Sequence, residues 1–366
     1  MKIKDIFTIP LKANFKSPSK FGLGIRTYSL NVLVKIVSDG GIIGYGEACP
    51  VPIFSSETNQ SIIEAIEKYI KPAIINKDPL KIAYLNDLMD KAIDGNNFAK
   101  SAVDIAIHDL VGKALKVPVH VLIGGKKRDQ VEVNDSVTFG SSEEMAQKSK
   151  EIVEKGYNYI KIYGGRGTLN DDINHLEAIR KQIGYEKKLY LEINQQWKMS
   201  EALIAINKLQ KYDLLFIEQP LSKWDLRGLK EISNRSTIPI ALDESVHSLS
   251  SVFQIASERI SDIINLYVQK TGGIYRTHQA TSIIESSGIQ CFMGSLLELG
   301  VATAAAIHLA STIKNLKYPC YLIGPERYTQ EILQSPLLIK NGFIEIPEGA
   351  GLGIELNEKI IDKMRL

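Results

Sequence analysis

The run LYLEINQQW (residues 189–197) begins as a short buried strand and places a carboxylate, Glu192, where that strand ends. Two later stretches share the design: LLFIEQP (214–220) closes on Glu218 and IPIALDES (238–245) on Asp243. The three acids lie 26 and 25 residues apart, each interval the length of one strand–helix repeat. Working outward, short apolar runs recur at 131–138, 158–163, 188–193, 213–218, 238–242, 262–268, 289–294 and 319–323. Amphipathic stretches such as SEEMAQKSKEIVEKG (142–156) and SEALIAINKLQKY (200–212) separate most of them. Eight strand candidates alternating with helices fit a TIM-like (β/α)-barrel better than an open sheet.

The first third has another texture. NVLVKIVSDGGIIGYGEA (31–48) reads as two strands around Asp39-Gly40-Gly41, a hairpin signal. Residues 59–116 space their apolar side chains at three and four, as in SIIEAIEKYIKPAII (61–75) and FAKSAVDIAIHDLVGKAL (98–115). Strands followed by helices predict an α+β domain over 1–125, ahead of a barrel over 126–340. Residues 341–366, which include FIEIPEGAGLGIELNEKIIDKM, read as strand-like and are expected to return to the first domain.

Composition excludes several classes of function. Of 366 residues, 44 are Lys or Arg and 42 Asp or Glu, a net charge of +2 that points to neither nucleic acid nor an anionic membrane surface. No apolar run approaches the roughly 18–20 residues of a membrane span. MKIKDIFTIPLK (1–12) has neither the apolar stretch nor the cleavage site of a secretory signal. Cys49, Cys291 and Cys320 are too few and too scattered for a disulfide framework or a zinc site, so the expected compartment is cytoplasmic.

In a barrel, acids at three successive strand ends meet at one rim, where chemistry resides. Three like charges within a few ångströms repel unless a cation lies among them. Oxygen ligands without His or Cys favour Mg²⁺. The alternative is that each acid caps the helix that follows it. In YIKIYGG (159–165), Lys161 and Tyr163 share a strand face; in NLYVQKTGG (265–273), Tyr267 and Lys270 stand on the far side of the acids. Groups able to move protons therefore flank the metal. Asn194, two residues after Glu192, is read as orienting a metal-bound water or substrate; Lys270 and Glu298 are further candidates for substrate contact or salt bridges.

Several motifs together resemble the enolase superfamily, and within it the muconate-lactonizing (muconate cycloisomerase) subgroup and the wider mandelate racemase and muconate lactonizing enzyme family. They are SAVDIAIHDLVGKALKVPVHVLIGG (101–125), the three acid motifs, KTGGI (270–274), GSLLELGVATAAAIHLA (294–310) and LIGPERYTQEIL (322–333). The resemblance covers nearly the whole chain. It implies a capping domain completed by the C-terminal segment, and one Mg²⁺ held by Glu192, Glu218 and Asp243. It also implies removal of the proton α to a carboxylate in a small-molecule substrate, and homo-oligomers. Cycloisomerisation and racemisation or epimerisation both fit; an acid-sugar or hydroxy-acid dehydratase and a non-catalytic carboxylate- or metal-binding descendant are the alternatives.

The departures fall on the chemistry itself. The subgroup's Lys-x-Lys is here Lys161-x-Tyr163, its opposing lysine aligns with Tyr267, and its first ligand, normally Asp, is Glu192. Lys-x-Tyr resembles some dehydratases of the superfamily. With an ordinary pKa of about 10, a phenol needs a nearby cation to act as a base. Lys161 and Mg²⁺ would serve, and Lys161 itself is the other candidate base. Tyr267 is the candidate acid. Specificity is expected in the loops at 14–28 and 50–58, where Lys16, Lys20 and Arg26 are available to a second anionic group. His308, His108 and His120 read as structural, and His247 as a minor alternative acid.

Overall fold

The computed structural model covers residues 1–366. Strands β1 (Ile3–Phe21), β2 (Gly24–Ser38) and β3 (Ile43–Ala48) form an antiparallel sheet in that order. Alternation in β2 gives the sheet two buried faces. Val32, Val34 and Ile36 pack with the helices that follow, whereas Leu33, with Leu11, Ala13 and Phe15 of β1, joins the core of the barrel. The helix Asn97–Leu115 is buried on every side from Phe98 to Gly112. It lies so close to β3 that a side chain at Gly44 or Gly46 would meet the carbonyls of Ala106 or Ala102 at 2.1 and 1.9 Å.

The second unit begins with β4 (Gln130–Glu132) and then lays down seven parallel strands in chain order. They are β5 (Asp135–Val137), β6 (Tyr159–Tyr163), β7 (Lys188–Glu192), β8 (Leu214–Glu218), β9 (Ile240–Leu242), β10 (Ile263–Leu266) and β11 (Gln290–Met293). A helix follows each of them, from Ser142–Glu154 to Gly300–Thr312. The ring closes through the segment around Cys320. Tyr321 N–H donates to the Met293 carbonyl at 2.7 Å, Cys320 N–H to Glu132 at 2.8 Å, and Asn134 N–H back to Cys320 at 3.0 Å. The expected barrel is present, with its eighth position held by these bridges instead of a full strand.

Inside the barrel, alternation stacks side chains in layers. Tyr190, Phe216 and Phe292 form an aromatic floor, with ring centroids 4.4 Å apart for the first pair and 5.3 Å for the second. Two residues further along β7 and β8 stand Glu192 and Glu218 on the same inward face. The floor therefore puts the acids at the mouth.

The tail departs from a strand-like reading. Only β12 (Ile339–Lys340) and β13 (Phe343–Glu345) are extended, and β13 pairs with β4. Pro347 and three closely spaced glycines then break the ladder. Buried Ile361 and Met364, three apart, form the inner face of a helix, Glu358–Met364, that Asn357 caps. On the way the chain touches the first unit: Gly351 N–H donates to Val117 at 2.9 Å, and Leu366 N–H to Pro10 at 3.1 Å. No helix is long and apolar enough to cross a membrane.

Candidate active site

Glu192, Glu218 and Asp243 lie at the ends of three adjacent strands, all but fully buried, with carboxylate oxygens within 4.8 Å of one another. None of them caps a helix. The next helices are capped by Glu201 closing on the Lys198 N–H, by Asp225 and by Ser248. The acids are thus free for the mouth of the barrel.

Each acid is met by donors from the chain. Glu192 Oε1 accepts the Asn194 N–H at 2.8 Å, Glu218 Oε1 the Asn265 amide at 2.6 Å, and Asp243 Oδ2 the Tyr267 hydroxyl at 3.0 Å. Lys270 Nζ holds Asp243 Oδ1 at 2.6 Å, and also bonds the carbonyls of Asp243 and Asn265. Lys161 Nζ stands 2.7 Å from Glu192 Oε2 and 2.9 Å from Glu218 Oε2. That contact is ionic, since no donor is aligned on either of these two buried oxygens.

Burial and crowding set the charge states. Burial first, then the charge of Glu218, pushes the Glu192 carboxyl well above its ordinary range. Burial also raises Asp243, against the pull of Lys270. Burial opposes the Lys161 ammonium, but the carboxylates of Glu192 and Glu218 override it and hold the lysine well above its usual value. Burial drives the phenols of Tyr163 and Tyr267 well above 10; Lys161 pulls both down without offsetting it. From the chain's own groups alone, both tyrosines are neutral donors and Lys161 is a cation.

A cavity of about 50 Å³ faces these groups, bounded by Phe21, Arg26 and Phe54 of the first unit and by Lys161, Tyr163 and Tyr267 of the barrel. It abuts a larger one, about 330 Å³, with which it shares Ser19, Leu297 and Tyr321, and which Lys20 also lines. Lys161, Tyr163, Tyr267 and Asn194 line the smaller cavity together with Glu192 and Asp243, and Glu218 meets them through Lys161. Two candidates lie elsewhere. Glu298 is turned away from the cavity, accepting from the Gln269 amide at 2.7 Å and the Leu296 N–H at 3.0 Å. Lys270, its ammonium bonded to three oxygens around Asp243, is an anchor of that acid and does not line the cavity. Asn194 lines the cavity, but its amide is bonded to Gly22 and Glu244. Arg26 ties β2 to the barrel by donating to the Leu296 carbonyl at 2.9 Å. His308 is a core residue that bonds the Leu352 carbonyl through Nε2.

Sequence reasoning missed Tyr321 and Asn265. Tyr321 lines both cavities and bonds Ser136 Oγ at 2.8 Å. Asn265 carried a usable signal, two residues before Tyr267 and so on its face. Tyr321 lies in the last of the eight strand candidates, 319–323, but that segment bridges its neighbours without forming a strand of its own, so alternation does not fix its face.

The donor set fits a divalent cation. Three hard carboxylates converge, Lys161 and Lys270 offset only two of their three potential negative charges, and Glu192 Oε2 and Glu218 Oε2 share an electrostatic focus without an aligned donor.

Comparison with known proteins places this arrangement. The model for the mandelate racemase/muconate lactonizing enzyme N-terminal domain matches residues 4–124, and that for the enolase C-terminal domain-like family matches 144–360. The chain belongs to the mandelate racemase and muconate lactonizing enzyme family. Within that family it is 32% identical to a chloromuconate cycloisomerase of Cupriavidus necator, over 100% of this chain and 98% of that one. It is 34% identical to an L-Ala-D/L-Glu epimerase of Clostridium acetobutylicum, over 97% and 99%. The crystal structure of N-succinyl Arg/Lys racemase from Bacillus cereus superposes with a TM-score of 0.97 at 31% identity, covering 100% of this chain and 98% of that one. These family members are isomerases, and the dehydratase reading finds no support among them.

Proposed function

We propose that the chain is a Mg²⁺-dependent isomerase, a cycloisomerase or an epimerase, that removes the α-proton of a small carboxylic acid. The observation that carries this reading is the placement of proton-bearing groups on both sides of one acid cluster. Lys161 and Tyr163 approach from β6, and Tyr267 from just beyond β10. Glu192, Glu218 and Asp243 would hold the ion. When bound, it supplies positive charge beside the substrate carboxylate, which an α-proton needs before a side-chain base can take it.

The chain's own residues divide the remaining work. Lys161, 5.3 Å from the centroid of the Tyr163 ring, favours the phenolate and is itself placed to meet a carboxylate. With the positive charge that an ion held by the three acids would add, the deprotonated forms of Lys161 and Tyr163 would be favoured, and either could accept the proton. Tyr267 is held by Asp243 on the opposite side and returns a proton there. Phe21 and Phe54 line the cavity on the side of the first unit.

The test is solvent exchange at the α-carbon. The chain with Mg²⁺ in D₂O would be offered muconates, dipeptides and N-succinyl amino acids. Deuterium should enter at the α-position of at least one class, and a chelator should abolish it. Loss of water from a hydroxy or sugar acid offered beside them would restore the dehydratase reading. No exchange and no reaction across the three classes would overturn isomerase chemistry on these acids.

A further inference from the structure

The turn between β1 and β2 is fastened to the acid cluster through one side chain. Gly22 N–H donates to Asn194 Oδ1 at 2.9 Å, and Asn194 Nδ2 donates to Glu244 Oε1 at 3.1 Å. The backbone N–H of the same residue donates to Glu192 Oε1 at 2.8 Å. Asn194 is only 5% exposed, so these bonds are not shared with bulk water. That geometry requires a left-handed backbone, with φ of 46° at Asn194 and 69° at Gln195. Asparagine tolerates this region better than most residues, but it still needs support from its surroundings.

We propose that Asn194 is a positioning residue that couples docking of the Phe21–Gly24 turn to the orientation of the Glu192 carboxylate, and so to affinity for the cation. When the turn is seated, Gly22 satisfies Oδ1 and the amide locks the left-handed bend that aims the Asn194 N–H at Glu192. When the turn lifts, Oδ1 loses its donor and the bend loses one of its braces, so the N–H that directs Glu192 Oε1 is less firmly aimed while Lys161 still holds Oε2. A bound cation must in return favour the seated turn, because coupling between two sites is reciprocal. The coupling rests on the metal reading above; the fastening itself does not.

Two glycines in the one turn separate the effects. A Cβ at Gly22 would lie 2.5 Å from Asn194 Cβ and 2.9 Å from Oδ1, whereas a Cβ at Gly24 would meet nothing within 4 Å. Gly22→Ala therefore unseats the turn without altering any acid or proton-transfer group, and Gly24→Ala is its control. Amide hydrogen exchange of residues 17–26 in the metal-free full chain should rise at least about tenfold in Gly22→Ala and stay unchanged in Gly24→Ala. Calorimetric titration with Mg²⁺ alone should show affinity falling about tenfold in the first variant, at the lower end of what outer-sphere substitutions do, and not in the second. In the unsubstituted chain, Mg²⁺ should slow exchange of the turn by a similar factor. Unchanged exchange in Gly22→Ala overturns the fastening. Raised exchange with unchanged Mg²⁺ affinity overturns the coupling. Failure of Mg²⁺ to bind the unsubstituted chain overturns the metal reading and the coupling with it, while the metal-free exchange still decides whether Asn194 holds the turn.

Discussion

Tyr267 donates its phenol hydrogen to Asp243 Oδ2 at 3.0 Å, so one of the two tyrosines at the site is also a partner of a metal-ligand candidate. Removing that hydroxyl does two separable things. Tyr267→Phe leaves a buried carboxylate oxygen without its donor, which costs about 1–3 kcal/mol of stability in the metal-free chain. Added Mg²⁺ should recover much of that loss, because Asp243 would help to hold it and its positive charge would offset the buried carboxylate. Thermal unfolding with and without Mg²⁺ checks this, and a melting temperature equal to that of the unsubstituted chain in both conditions would contradict it.

On the other side, Tyr163→Phe removes a hydroxyl with little change in shape. Turnover on the true substrate should fall by roughly 10²–10⁴-fold with KM nearly unchanged, as for loss of a positioned acid or base. Lys161→Met should also be damaging, and the double variant less than additive, because Lys161 acts partly through the phenol. Full activity of Tyr163→Phe would leave Lys161 as the base.

The acids should differ in their tolerance of substitution. Glu218→Gln keeps an oxygen able to accept from Asn265 but removes a charge from the cation site, so calorimetry should show Mg²⁺ binding abolished in a folded chain. Glu192→Asp should bind more tightly than Glu192→Ala, since the shorter carboxylate still offers two hard oxygens. Equal affinity of the two would remove Glu192 from the ligand set.

Two carboxylates away from the cluster set a pH dependence. Burial pushes Glu47 up to about 8, and Glu331 up to about 7, from an ordinary 4.5. Glu47 accepts the N–H groups of Leu299 and Ala302, and Glu331 that of Gly300, all at the start of the helix Gly300–Thr312. A carboxyl raised in the folded state binds more protons there than when unfolded. Its contribution is therefore complete below about pH 4.5 and is lost as pH rises through 7 and 8 for the two groups. Unfolding free energy from denaturant titrations should decline between pH 5 and 8, and Glu331→Gln should flatten the lower part of that slope.

The acid ring was legible because two periods coincide in the sequence. Alternation within a strand fixes which face Glu192, Glu218 and Asp243 share, and the strand–helix repeat fixes that they meet. Lys161 and Tyr163 followed from the same parity. What alternation does not report is where a long side chain ends. Lys270 lies beyond the strand in a turn, and only the fold shows its ammonium folded back onto Asp243. Glu298 reads as a candidate for substrate contact or a salt bridge, and the fold shows it bonded to the Gln269 amide and the Leu296 N–H instead. Asn194 reads as orienting a metal-bound water or substrate; its bond to the turn 172 residues earlier in the chain leaves no local mark. The tail misled for a related reason: Phe343–Glu345 is a real strand, but the glycines that follow end it before the apolar residues of the last helix.

The stacked rings of Tyr190, Phe216 and Phe292 have an electrical consequence for everything above them. All three are fully buried, so the three carboxylates and two ammonium groups stand over an apolar layer and not over solvent. In such low-permittivity surroundings, charges a few ångströms apart feel one another several times more strongly than they would in water. The aromatic layer thereby ties five ionisable groups into one electrostatic unit. A polar side chain in place of Phe216 would admit water from below and loosen every one of those couplings at once, without touching a single charged residue.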